Sequence, residues 1–164
     1  MADVKKTLWD QDRQIILVVD DDPVANETAT DILSDAGYDV LSSYNWASAQ
    51  RTIRNMKPDL VVLDVMLPDA SGLEKCRELI RDIRTSDVPV MMMADSNSPL
   101  IRKSIFLAGA NAFIYKPDFP RELLKKSRKI LTGNKSDKTL WNDVWIIQKE
   151  SEETMNEFIR NSTN

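Results

Sequence analysis

Three acidic residues in a row, Asp20, Asp21 and Asp22, follow the apolar run 15–19, and a second run, 60–63, ends in Asp64. A third, 113–115, ends in Lys116 and Pro117. Carboxylates at the carboxyl ends of neighbouring buried strands converge in the crevice where open α/β sheets bind ligands. Like charges gathered there resist ionisation unless a hard cation neutralises them, and an all-oxygen site with few protein ligands suits Mg2+. Lys116 adds the fixed positive charge that an anionic group bound in the same crevice needs. The residue types point to a cation and a phosphoryl group side by side.

Such a crevice requires elements that carry these residues to one edge of a sheet. Short apolar runs at 15–19, 38–42, 60–63, 88–93 and 111–115 alternate with helical periodicity, which predicts a parallel sheet covered on both faces. The first helix starts at Pro23 behind an acidic cap at Asp22, repeats apolar groups at Ala25, Ala29, Ile32 and Ala36, and stops at Gly37. Trp46, Ala49, Ile53 and Met56 mark the second; Leu73, Cys76, Ile80 and Ile83 the third; Ile101, Ile105 and Ala108 the fourth; Leu123, Ser127, Ile130 and Leu131 the fifth. Met91, Met92 and Met93 read as core filling, and Cys76 as a packed thiol.

With 164 residues, 42% of them apolar, the chain can bury one ordinary core. Residues 1–14 read as a tail, 15–131 as the domain, 132–138 as a linker and 139–160 as an amphipathic helix of about six turns carrying Trp141, Trp145, Met155 and Phe158. That stripe suggests docking on the domain or a homodimer through 139–160. The net charge of −4, with no clustered Lys/Arg face and no helix-turn-helix-sized segment, predicts no direct nucleic-acid binding. With no signal peptide, no membrane-length apolar stretch and a single cysteine, the chain reads as cytoplasmic, with no membrane partner. The absence of histidine excludes His-based acid/base catalysis and a histidine phosphodonor within the chain.

Taken in order, these residues resemble the receiver domain of two-component response regulators, over roughly 15–131. The pattern is Asp20-Asp21, then Asp64 with Pro68 and Gly72 after it, Val88-Pro89-Val90 opening a strand, and Gly109-Ala110 before Lys116-Pro117. Singly, Asp20 to Asp22 could cap a helix, Asp64 could sit in a turn and Lys116 could be a solvated lysine; the shared register argues otherwise. The resemblance implies a doubly wound, five-stranded parallel sheet of flavodoxin-like (CheY-like) order 2-1-3-4-5, here with a C-terminal helical extension. It implies Asp64 as phospho-acceptor, Mg2+ held by Asp20, Asp21, Asp64 and the backbone carbonyl of Met66, and Lys116 pairing with the phosphoryl group. It also implies a sensor histidine kinase or phosphotransfer protein upstream, and a downstream protein that reads a switched surface.

The chain departs from the family at the switch. Ala94 lies 30 residues beyond Asp64 and 22 before Lys116, where receivers usually carry Thr or Ser, while Phe113 occupies the aromatic switch position. A lost charge-assisted hydrogen bond is worth roughly 1.5–3 kcal/mol. Asp95 adds negative charge at the mouth, and Ser96 offers the nearest hydroxyl. These departures motivate one alternative to a phospho-acceptor, a pseudo-receiver that works without phosphorylation; a further alternative is the regulatory fragment of a larger signalling enzyme, with 139–160 as the connecting helix. The chain itself does not read as an enzyme. Haloacid-dehalogenase-type phosphatases need an aspartate where Met66 stands, and dinucleotide-binding folds need glycines where Asp20 to Asp22 stand.

Overall fold

The five apolar runs pair into one parallel sheet. In the computed structural model, which describes residues 13–133, the elements are β1 (Ile15–Val19), α1 (Pro23–Asp35), β2 (Asp39–Ser43), α2 (Trp46–Met56), β3 (Leu60–Asp64), α3 (Gly72–Arg81), β4 (Val90–Ala94), α4 (Pro99–Leu107), β5 (Ala112–Tyr115), a 3-10 turn (Lys116–Asp118) and α5 (Phe119–Thr132). The strand order is β2-β1-β3-β4-β5, as expected. The stretches 1–12 and 134–164, with most of the 1–14 tail, most of the linker and the 139–160 helix assigned to them, lie outside the described residues.

Strand alternation divides the core into two layers. Leu17, Val19, Val61, Leu63, Val90 and Met92 pack with Trp46, Ala49, Ile53, Cys76, Leu79 and Ile105 from α2, α3 and α4. Ile16, Val18, Leu60, Val62, Met91, Met93 and Ile114 pack with Ala29, Leu33, Phe119 and Leu123 from α1 and α5. The three methionines fill both layers and are essentially fully buried. Burial also pushes the Cys76 thiol up to about 12, and its S–H points to the Ala108 carbonyl at 3.6 Å.

Several helix faces differ from the expected ones. In α1 the buried stripe is Asn26, Ala29 and Leu33, while Ala25, Ile32 and Ala36 are half-buried. In α3 the buried residues are Gly72, Cys76 and Leu79; the helix ends at Arg81, so Ile83 falls beyond it and is 90% exposed. β4 begins two residues later than expected because the Val88 N–H turns back to Thr85 and Pro89 has no N–H to give the ladder.

Candidate functional site

Asp20 follows β1, Asp64 ends β3 and Lys116 follows β5, so strand pairing alone carries all three to the same edge of the sheet. Asp20 is fully buried and Asp64 is 3% exposed, whereas Asp21 faces solvent. Lys116 Nζ donates to Asp64 Oδ2 at 2.7 Å and contacts Asp20 Oδ2 at 2.9 Å, one ammonium spanning two carboxylates. Asp22 takes the capping role, accepting from the Val24 N–H at 2.9 Å, which frees its two neighbours for the crevice.

The loop after β3 is folded tightly around Asp64. Met66 N–H donates to Asp64 Oδ1 at 3.1 Å, and Gly72 N–H donates to the Val65 carbonyl at 2.8 Å. A Cβ on Gly72 would lie 2.0 Å from the Asp64 carbonyl oxygen, so only glycine permits this approach. Further along, Asp69 accepts from the Trp46 and Ala47 N–H groups at 2.8 and 3.0 Å, so the loop after β3 caps the start of α2. The Trp46 bond, ahead of a smaller opposing cost of burial, holds the Asp69 carboxyl below its ordinary value.

Burial is the largest influence on Asp64 and raises its pKa; the Lys116 and Met66 hydrogen bonds oppose it, and the Asp20 charge adds to it. Lys116 shows the opposite balance. Burial pulls its pKa down most strongly among single influences, yet the contacts with Asp64 and Asp20 together outweigh it and leave the ammonium more basic than a free lysine. Lys116 therefore keeps its charge between two carboxylates, while burial makes Asp64 harder to ionise.

One carboxylate oxygen from each of Asp20, Asp21 and Asp64 lies within 4.8 Å of the others. Asp20 Oδ2 is buried and its one polar neighbour is the Lys116 ammonium at 2.9 Å, so it keeps lone-pair capacity for a cation. An all-carboxylate donor set of this kind could hold a hard divalent ion.

Ala94 and Phe113, the residues expected at the switch, sit on β4 and β5. Ala94 ends β4, is buried and pairs with Tyr115; Asp95 and Ser96 are exposed beyond it. Ser96 Oγ accepts from the Ser98 N–H at 3.2 Å. Its hydroxyl thus serves the entry to α4. Phe113 is half-buried against the α2–α4 layer, and its carbonyl accepts from Lys126 Nζ at 2.8 Å. Two participants were missed by pattern reading. Asn26, the polar member of the α1 stripe, and Asp69, which works across the fold, both look like surface residues in sequence. A polar residue in register with Ala29 and Leu33 was the available signal for Asn26.

A doubly wound parallel sheet with two buried aspartates and a lysine meeting at its carboxyl edge defines a receiver-type signalling domain. The chain belongs to the response regulator receiver domain family, whose model matches residues 16–128. It is 38% identical over 116 residues to the phosphate regulon transcriptional regulatory protein PhoB of Pseudomonas aeruginosa, covering 71% of this chain and 51% of that protein. It is 35% identical to the DNA-binding dual master transcriptional regulator RpaA of Synechocystis over 71% of this chain and 48% of that protein. With the DNA-binding response regulator MtrA of Mycolicibacterium smegmatis the identity is 36%, over 76% of this chain and 54% of the relative. The chain spans about half the length of these relatives.

Among solved structures, the CheY-like receiver domain protein of Methanospirillum hungatei is 29% identical with a TM-score of 0.67, covering 73% of this chain and 94% of that one. The receiver domain of a signal transduction histidine kinase from Syntrophus aciditrophicus is 28% identical with a TM-score of 0.68, covering 77% and 96%.

The relatives correct one expectation. Exclusion of nucleic acid rested on net charge and on a missing basic face, but MtrA and RpaA are DNA-binding proteins by name. Whole-chain charge is also an average here: Arg121, Lys125, Lys126, Arg128 and Lys129 all lie on α5, while Glu27, Asp31 and Asp35 lie exposed on α1. No helix among the described residues is long and apolar enough to cross a membrane.

Proposed function

We propose that the chain is a phospho-acceptor in two-component signalling, modified on Asp64 in the presence of Mg2+. The observation that carries this reading is the 2.7 Å contact of Lys116 Nζ with Asp64 Oδ2, beside the paired carboxylates of Asp20 and Asp21. In the transfer an Asp64 carboxylate oxygen forms a bond to phosphorus, and the bond from phosphorus to the donor breaks, its electron pair leaving with the donor. Lys116 moves from carboxylate to phosphoryl oxygen as a point charge, and the Met66 N–H continues to hold Asp64 in place. Asp20, Asp21, Asp64 and the Met66 carbonyl would hold Mg2+, which supplies charge neutralisation between the carboxylate and the incoming anion.

The output is a changed protein-binding surface around α4, β5 and α5. By the relatives' names, that output feeds transcriptional control, through a DNA-binding module on the same or another polypeptide. The test is incubation with a small acyl phosphate and Mg2+, then intact mass. One adduct of about 80 Da, absent in Asp64→Asn and absent after chelation, is expected. Labelling that survives either change sinks the reading.

Ala94 and Asp95 favour a second reading, a pseudo-receiver whose surface works unphosphorylated. It predicts no adduct and a partner bound equally well by wild type and Asp64→Asn.

A further inference from the structure

Three of the four polar groups of Asp20 are held by neighbouring backbone groups or by Asn26. Its N–H donates to the Ser43 carbonyl at 3.1 Å, and its Oδ1 accepts from the Asp22 N–H at 2.9 Å. Its carbonyl accepts from Asn26 Nδ2 at 2.9 Å. The fourth, Oδ2, is buried and lies 2.9 Å from Lys116 Nζ.

Asn26 is the keystone of this arrangement. It is fully buried on α1, and an unpaired amide there would be costly. Nδ2 also donates to the Ser43 carbonyl at 3.0 Å, so one amide group ties the end of β1 to the end of β2. Oδ1 accepts from Ser42 Oγ, which fixes which way the amide faces. A residue chosen for packing alone at this point of the stripe would be apolar, like its neighbours Ala29 and Leu33. The amide is instead spent on two carbonyls, one of them that of Asp20 itself.

We propose that Asn26 is a positioning residue: by clamping the backbone of Asp20 to the β2 edge it aims Asp20 Oδ2 at the cation. This deepens, and rests on, the Mg2+ reading above. Preorganised ligands bind more tightly because their orientation is fixed before the ion arrives, and loss of an outer partner typically costs 10–100-fold in metal affinity.

The test is an amide NMR titration of the full chain with MgCl2, comparing wild type, Asn26→Leu, Asn26→Ala, Ser42→Ala and Asp20→Asn. Mg2+ affinity should fall by about 10–100-fold in Asn26→Leu or Asn26→Ala, and by a smaller factor in Ser42→Ala, whose exposed position keeps it folded even if the core variants fail. Added to Asp20→Asn, the same Asn26 change should cost no further affinity, because its effect runs through Asp20; a merely structural role would leave its effect undiminished there. Folded variants with wild-type Mg2+ affinity, or fully additive losses, overturn the proposal. A wild type that binds no Mg2+ overturns the reading beneath it as well.

Discussion

Lys116 and Asp64, 52 positions apart in the chain, meet at 2.7 Å across the carboxyl edge of the sheet, and the same ammonium reaches Asp20 at 2.9 Å. A lysine so placed favours the ionised form of Asp64 and, under the proposed transfer, is already within reach of the charge that a phosphoryl group brings.

Replacing Lys116 with Met should therefore raise the Asp64 pKa further, since burial then acts with less opposition. A carboxyl-carbon NMR titration would read the shift. Transfer from a small acyl phosphate should slow by about 10²–10³-fold, the usual loss on removing one charge-stabilising donor. An unmoved Asp64 titration would show that the contact carries no electrostatic weight.

Asp64→Asn should melt at a higher temperature than wild type at neutral pH. The native pKa of Asp64 is raised above its ordinary value of 3.8, so its ionisation costs stability above the native pKa and costs none below the unfolded one. The advantage of the asparagine variant should accordingly shrink as pH falls through the native pKa and vanish below the ordinary value. Melting curves at a series of pH values check this, and a gain that persists in acid would contradict it.

Ala94→Thr should strengthen the link between phosphorylation and the α4–β5 surface. A restored charge-assisted hydrogen bond of roughly 1.5–3 kcal/mol corresponds to a population shift of about 10–150-fold. Amide spectra around Phe113 and residues 99–108, with and without phosphorylation, should then differ more than in wild type. If wild type already shows the full change, the missing hydroxyl is irrelevant.

Gly72→Ala should cost about 2–3 kcal/mol in urea unfolding, because the new methyl would stand 2.0 Å from the Asp64 carbonyl oxygen and the obstacle is backbone. The folded fraction should also label more slowly, since relief of the clash displaces Asp64. Wild-type stability would mean that the loop yields freely.

Strand order and crevice were legible because each chemical residue stands at the end of an apolar run, where a parallel sheet leaves no choice of edge. Asp20, Asp64 and Lys116 could be placed together without knowing any distance. The helix faces were less legible. Ile32 and Leu33 are adjacent and equally apolar, so periodicity alone could not say that Leu33 faces the sheet, and Ile83 continued a pattern whose helix had already ended at Arg81. Asn26 and Asp69 escaped for a different reason. Their partners are backbone groups distant in sequence, Ser43 for one and Trp46 for the other, and such bonds leave no mark in hydropathy.

The recruitment of Asp20, Asp64 and Lys116 from the first, third and fifth strands bears on how the protein comes into being. During synthesis, Asp64 emerges 52 residues before its lysine, a delay of roughly 3–10 s at ordinary elongation rates. Over that interval the carboxylates lack the ammonium that pairs with them in the finished crevice, and β4 and β5 have yet to join the sheet. The charge pairing of the crevice is thus completed only with the fifth strand, after both carboxylates have been made.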